Sequence, residues 1–167
     1  MNVLVLADTH VPDHARALPA SLDEHLEWAE LILHGGDITS AATLAELEVH
    51  APVRAVCGNI DQWDLRDRVP ETLRFDLDGV PVAMIHDSGA REGRERRLRG
   101  RFPDARLIIF AHSHQPVNEV VGGVHFLNPG SPTWKRRAPT PTVARMVTGG
   151  GRAEVTLIDL EGGQRSG

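Results

Sequence analysis

Residues 107–114 read Leu107-Ile108-Ile109-Phe110-Ala111-His112-Ser113-His114. An unbroken apolar run of this kind predicts a strand covered on both faces, and two imidazoles two residues apart follow it at once. The same arrangement recurs upstream. The run 3–7 leads into Asp8 and His10, 31–33 into Asp37, 53–57 into Asn59, and 80–85 into His86. Ligands of open α/β sheets collect at the carboxyl ends of the strands. Seven oxygen and imidazole donors at one sheet edge suit two metal ions better than one. The pattern points to a dinuclear metallohydrolase.

Around these runs the chain divides into recognisable elements. A first strand is predicted over 2–7. Ser21, with Glu24 three residues later, reads as the start of a helix reaching to about Ala29. Ser40 caps a second helix with Leu44 and Leu47 on one face and His50 near its carboxyl end, where the dipole favours it. Residues 60–71 are polar and of mixed charge, and read as an active-site loop. The runs 73–77 and 80–85 flank Asp78-Gly79, a strong hairpin signal. An arginine-rich helix over about 92–101 precedes a strand at 106–111. Two further hairpins follow, 117–121 with 124–127 across Gly122-Gly123, and 142–148 with 153–160 across 149–151.

Helices alternate with strands early and hairpins dominate late. That order predicts an α/β fold, a four-layer αββα sandwich of two mixed β-sheets flanked by helices, with the metal site at the carboxyl ends of the strands. Residues 1–160 are expected to form one domain, and 161–167 a frayed tail.

Composition agrees with a soluble domain. The 167 residues are 41% hydrophobic and 25% charged, enough for one substantial core. A net charge of −5 argues against stable nucleic-acid binding. Lys135 is the only lysine, which reads as coding bias. Cys57 stands alone, so no intramolecular disulfide forms, and it is expected as a small buried hydrophobe. No basic region precedes the first apolar run, and Asp8 ends that run too early for a signal peptide. No segment approaches a membrane span. The expected compartment is the cytoplasm.

Each chemical motif is weak alone. Asp8-Thr9-His10 is often a solvated turn, Gly35-Gly36-Asp37 an ordinary turn or cap, and a strand-end histidine a rim residue. Asn59 offers a neutral amide oxygen that seldom binds metal unless carboxylates and imidazoles surround it. Five such coincidences at five strand ends outweigh the ordinary explanations. Carboxylates, an amide and imidazoles without thiolate favour two divalent ions, Mn²⁺ foremost, with Fe, Zn²⁺ and Ni²⁺ as alternatives. Two ions about 3.5–4 Å apart would hold a bridging hydroxide and clamp a phosphoryl group for in-line attack.

In this order the motifs resemble those of the calcineurin-like metallophosphoesterase family, over residues 1 to about 137. They are most similar to its small single-domain bacterial and archaeal phosphodiesterases, which also carry an Asn-Pro-Gly-Ser segment, here Asn128-Pro129-Gly130-Ser131. The resemblance implies one metal on Asp8, His10, Asp37 and His114. A second would sit on Asp37, Asn59, His86 and His112, with Asp37 bridging. It further implies hydrolysis of a small phosphodiester or other phosphate ester by the hydroxide between the metals, with Asn59 and His112 steadying the developing charge.

Three positions depart from the family. Ile60 stands where many members carry a histidine that protonates the leaving group, which implies slow turnover or leaving groups that need no proton. Ala111 replaces a glycine, a small steric change, and Asp87 replaces the glycine often found after His86. A catalytically weak scaffold that binds protein partners is the alternative. One branch of the family serves vesicle-coat assembly and has lost a metal histidine, whereas all seven positions are filled here. A nuclease subunit would need further domains to grip a polymer.

His14, His25, His34, His50 and His125 fit no ligand position and are expected on the surface or in strands. Arg91, Arg94, Arg96, Arg97, Arg99 and Arg101 spread around their helix as a solvated face. Lys135-Arg136-Arg137 suits either an exposed loop or the rim of the site, where a guanidinium would hold phosphate. Trp28 is expected in the core, and Trp63 and Trp134 beside the cleft. Loops 11–20, 60–71 and 131–141 govern substrate choice, and a homodimer is left open.

Overall fold

The computed structural model describes residues 1–164. In chain order the first half carries β1 (Asn2–Leu6), α1 (Asp23–Trp28), β2 (Leu31–His34), α2 (Ala41–His50), β3 (Val53–Ala55) and α3 (Trp63–Arg66). Then follow β4 (Thr72–Leu77), β5 (Val80–Ile85), α4 (Arg94–Arg101) and β6 (Leu107–Ile109). The last part is all strand: β7 (Val117–Val121), β8 (Val124–Asn128), β9 (Thr142–Gly149), β10 (Arg152–Asp159) and β11 (Gly163–Gln164).

Two mixed sheets result. One has the order β11-β10-β9-β1-β2-β3, the other β4-β5-β6-β8-β7. Strands β1, β2 and β3 run parallel, as do β5, β6 and β8, while hairpin partners supply the antiparallel members. Side-chain alternation along β1 explains the layering. Val3 and Val5 face the second sheet and meet Met84, Leu107 and Ile109 in a central apolar layer. Leu4 and Leu6 face the other way, onto Leu22, Leu26 and Leu47 around α1 and α2. The second sheet repeats the logic, with Ile108, Phe110 and Phe126 packed under Leu98 and Phe102 of α4. Three apolar layers therefore separate four structural ones. Each fully buried Leu or Ile contributes roughly 1.5–3 kcal/mol, so the strand ends that carry the site stand on a rigid base.

Several local expectations are corrected. Ser21 does not cap α1. A 3-10 turn over Ala20–Leu22 already leads the chain in, and Glu24 points to His25 (3.5 Å) and Arg145 (3.8 Å). Ser40 does cap α2, accepting from the Thr43 N–H at 3.2 Å. The loop 60–71 contains the turn of helix α3. Helix α4 starts at Arg94, after Gly93 in a left-handed conformation. Trp28 is half-buried, with the Arg145 guanidinium 4.7 Å above its ring, and Cys57 is likewise only half-buried. Within the expected tail, Gly163–Gln164 pair with β10, and 165–167 lie outside the described residues. No helix among the described residues is long and apolar enough to cross a membrane.

Candidate metal centre

Both sets of parallel strands deliver their carboxyl ends to one edge. Asp8 and His10 follow β1, Asp37 follows β2, Asn59 follows β3, His86 follows β5, and His112 and His114 follow β6. The turns there are unusually tight. Asp8, His10, Asp37, His112 and His114 all have positive φ, between 48° and 67°, a left-handed region that Asp, Asn and His tolerate better than most residues. The glycines beside them allow close approach. A Cβ on Gly58 would lie 2.1 Å from the Asp37 backbone nitrogen, and one on Gly36 would lie 2.7 Å from His86 Nδ1.

The seven predicted residues come together as two groups. Asp8, His10 and His114 bring ligand atoms within 4.8 Å of one another, and so do Asp37, His86 and His112. Asn59 joins the second group, its Oδ1 lying 3.0 Å from His86 Nε2 and 2.9 Å from His112 Nδ1. A single atom links the groups. Asp37 Oδ2 lies 3.6 Å from His10 Nε2 and 3.4 Å from His86 Nε2.

Proton positions follow from the backbone. His86 Nδ1–H donates to the Gly35 carbonyl at 2.9 Å, and His114 Nδ1–H donates to the carbonyl of Trp134. Each Nε2 is thereby left to present its lone pair inward, the usual way a backbone carbonyl orients a metal-binding imidazole. His114 Nε2 faces His10 Nε2 at 3.1 Å and Asp8 Oδ1 at 3.6 Å. Both Asp8 oxygens are buried without a hydrogen-bond partner among the described residues. Acceptors crowd acceptors here, and a buried carboxylate without donors is costly. Cations at this spot would relieve that cost, so the donor set fits divalent metal.

The electrostatics agree. Burial, only partly offset by His86, pushes the Asp8 carboxyl up to about 7. Burial pushes His10 and His114 down to about 4, which keeps both neutral and able to ligate. Asp37 is held at about 2, because the hydrogen bond and charge of His86 outweigh its burial. Burial works against a proton on His86, yet the Asp37 hydrogen bond and charge prevail and raise its pKa. A metal ion at that place would displace the proton.

Several supporting residues were not evident from sequence. Asp61, expected only as part of a polar loop, is buried and accepts from the Thr39 N–H at 2.7 Å and the Gly58 N–H at 2.6 Å, tying the Asp37 turn to the Asn59 turn. His34, which falls in neither group, accepts from the Gly36 N–H through Nδ1 and so donates through Nε2 to Thr9 Oγ1 at 3.2 Å. Ser131 donates to the Asp8 carbonyl at 2.7 Å, and Asn128 donates to the Ala111 carbonyl at 3.2 Å, so the 128–131 segment braces both histidine-bearing turns. Asp87 accepts from the Gly89 N–H at 2.7 Å and thus shapes its own turn.

Other expectations sort themselves. Trp134 lies edge-on to His10 and His114, with ring centroids 5.3 and 5.2 Å away, whereas Trp63 is 78% exposed. His14 is no isolated surface residue; its ring stacks on Trp134 at 3.6 Å. Arg136 reaches the rim, and Lys135 turns away to the Pro139 carbonyl. The arginine face of α4 is largely exposed, as expected, but two of its members also make specific contacts. Arg97 donates to the carbonyls of Ser88, Ala90 and Glu92, and Arg94 lies 4.7 Å over the Phe110 ring.

Comparison with known proteins now decides the family. The model of the calcineurin-like phosphoesterase superfamily domain matches residues 1–151. The chain belongs to that superfamily. It is 35% identical over 160 residues to a probable metallophosphoesterase of Methanothermobacter thermautotrophicus, covering 95% of this chain and 92% of that protein. It is also 25% identical to a phosphodiesterase of Methanocaldococcus jannaschii, over 78% of this chain and 83% of that one. Among solved structures, the phosphoesterase fold here is shared with Vps29 of Chaetomium thermophilum at a TM-score of 0.83 and 19% identity, over 95% and 88% of the two chains. A zinc complex of Vps29 from Entamoeba histolytica has a TM-score of 0.76 at 24% identity, over 96% of this chain and 99% of that one.

Proposed function

We propose that this chain is a dinuclear metal-dependent phosphodiesterase. The observation that carries it is Asp37 Oδ2, which faces one imidazole of each group at 3.6 and 3.4 Å, so that Asp37 would be shared by both ions. Asp8, His10, Asp37 and His114 would hold one ion, and Asp37, Asn59, His86 and His112 the other. Two such ions, when bound, would supply an activated water and a double Lewis acid for a phosphoryl group. Mn²⁺ suits the hard oxygen donors and imidazoles best, with Fe, Zn²⁺ and Ni²⁺ as alternatives.

The protein's own contribution is positioning. Gly35 and Trp134 carbonyls fix the tautomers of His86 and His114. His112 and Asn59, on the solvent side of their group, face the substrate and orient its oxygens. Ile60 has no proton to give, and its backbone N–H holds Asp37 Oδ1 at 3.1 Å instead. Esters with acidic leaving groups are therefore the expected good substrates. Kinship with a phosphodiesterase supports the diester over the monoester.

The test is metal content of protein purified without chelator, together with hydrolysis of a chromogenic phosphodiester with and without Mn²⁺. Close to two ions per chain, Mn²⁺-stimulated turnover, and its loss in Asp37→Ala with unchanged circular dichroism are expected. A metal-free protein that gains nothing from Mn²⁺ would overturn the proposal and favour a protein-binding scaffold.

A further inference from the structure

Arg136 occupies a distinctive place at the mouth of the site. Its guanidinium lies 4.4 Å over the Trp134 ring, and Nη1 donates to the His112 carbonyl at 3.2 Å. Its other N–H groups make no hydrogen bond among the described residues, and the side chain is exposed. Trp134 beneath it abuts His10 and His114, so the charge stands directly beside the buried group. Its field reaches Asp8, His10 and His114. The residue itself sits in a left-handed backbone conformation, at φ 48°.

Two neighbouring cations are committed elsewhere. Arg66 donates to the carbonyls of Gly58, Asn59 and Asp61. Lys135 is bound to the Pro139 carbonyl and lies 3.8 Å from Glu161. A planar guanidinium with free, parallel N–H groups, steadied on an indole and one carbonyl, is matched to two oxygens of a phosphate.

We propose that Arg136 is the substrate-phosphate clamp of this enzyme, closing from the Trp134 indole onto a non-bridging phosphoryl oxygen. The proposal rests on the phosphodiesterase reading. The clamp supplies the charge neutralisation that a histidine at position 60 would otherwise share, and it supplies no proton. Losing it therefore weakens phosphate binding without altering how rate depends on leaving-group acidity.

The experiment compares Mn²⁺-loaded wild type with Arg136→Ala and Arg136→Lys. Three readouts are needed: metal content, inhibition by inorganic phosphate, and kcat and KM across aryl phosphodiesters of graded leaving-group acidity. Arg136→Ala is expected to raise KM and the phosphate inhibition constant roughly ten- to hundredfold, as for loss of a charged hydrogen bond. Metal content and the leaving-group slope stay as in wild type, and Arg136→Lys recovers part of the loss by keeping the charge without the fork. Values within about twofold of wild type would overturn the clamp. So would a parallel loss of metal, because Arg136 would then act only by holding the His112 turn. Wild type that takes up no metal or hydrolyses no ester would instead sink the phosphodiesterase reading, and the clamp with it.

Discussion

The two ligand groups differ in depth. Asp8, His10 and His114 are 0, 2 and 0% exposed, sealed by Trp134 and the 128–131 segment. In the other group Asp37 and His86 are as deeply buried, but His112 is half-buried and Asn59 exposed. Burial strips water from a carboxylate and two imidazoles, so the deep group is costly when empty and tenacious when filled. Its neighbour trades that tenacity for access. On the proposed two-ion reading, Asp37 would join a tightly held ion to one that exchanges and meets substrate.

Removing one imidazole from each group tests this most severely. His114→Ala is expected to lose both ions, since on the proposed reading the deep ion would also anchor Asp37. His112→Ala is expected to keep close to one, and both should lose activity by more than about a hundredfold. Metal analysis after gel filtration checks it, and equal losses in the two variants would erase the distinction.

Asp8→Asn probes the cost of the empty deep group. In metal-free protein the folded-state pKa of Asp8 is raised from 3.8 to about 7. The folded form therefore holds the extra proton, and stability falls as pH rises between those values. His10 and His114, lowered from 6.5 to about 4, act oppositely and lose stability as pH falls through that interval. Asp8→Asn should thus stabilise chelated protein at pH 8 by up to roughly 4 kcal/mol and by almost nothing near pH 4. Urea melts at both pH values, with and without Mn²⁺, read it out. With metal present the sign should reverse.

Asp61→Asn is the gentlest probe. Each Asp61 oxygen accepts one backbone N–H, and an amide can serve only one of them. A cost of about 1–3 kcal/mol is expected. Mn²⁺ affinity in the open group should fall roughly tenfold, with a smaller effect on the deep ion, which Asp8, His10 and His114 would still hold. Calorimetric titration distinguishes the two.

The strand ends were legible because apolar runs stop abruptly at polar ligands, and the hairpins because Asp78-Gly79 and Gly122-Gly123 demand positive φ. Asp61 was not legible. One acid among Asp61, Asp64 and Asp67 looks like its neighbours until the chain folds and two turns present their N–H groups to it. Ser21 misled for a related reason: a capping residue must itself have extended backbone, and Ser21 lies inside a 3-10 turn. The stacking of His14 on Trp134 was not legible, because the loops that carry the two are far apart in sequence.

Five of the seven edge positions sit at positive φ, and this restricts descent as well as chemistry. A β-branched residue there is strained whatever its polarity, so the tolerated replacements are few: Asp, Asn, His and Gly. A lineage that abandoned metal would drift among those same letters rather than into hydrophobes. Such descendants would keep the appearance of a hydrolase long after losing its activity, and a single His-to-Asn exchange would be the mark to look for.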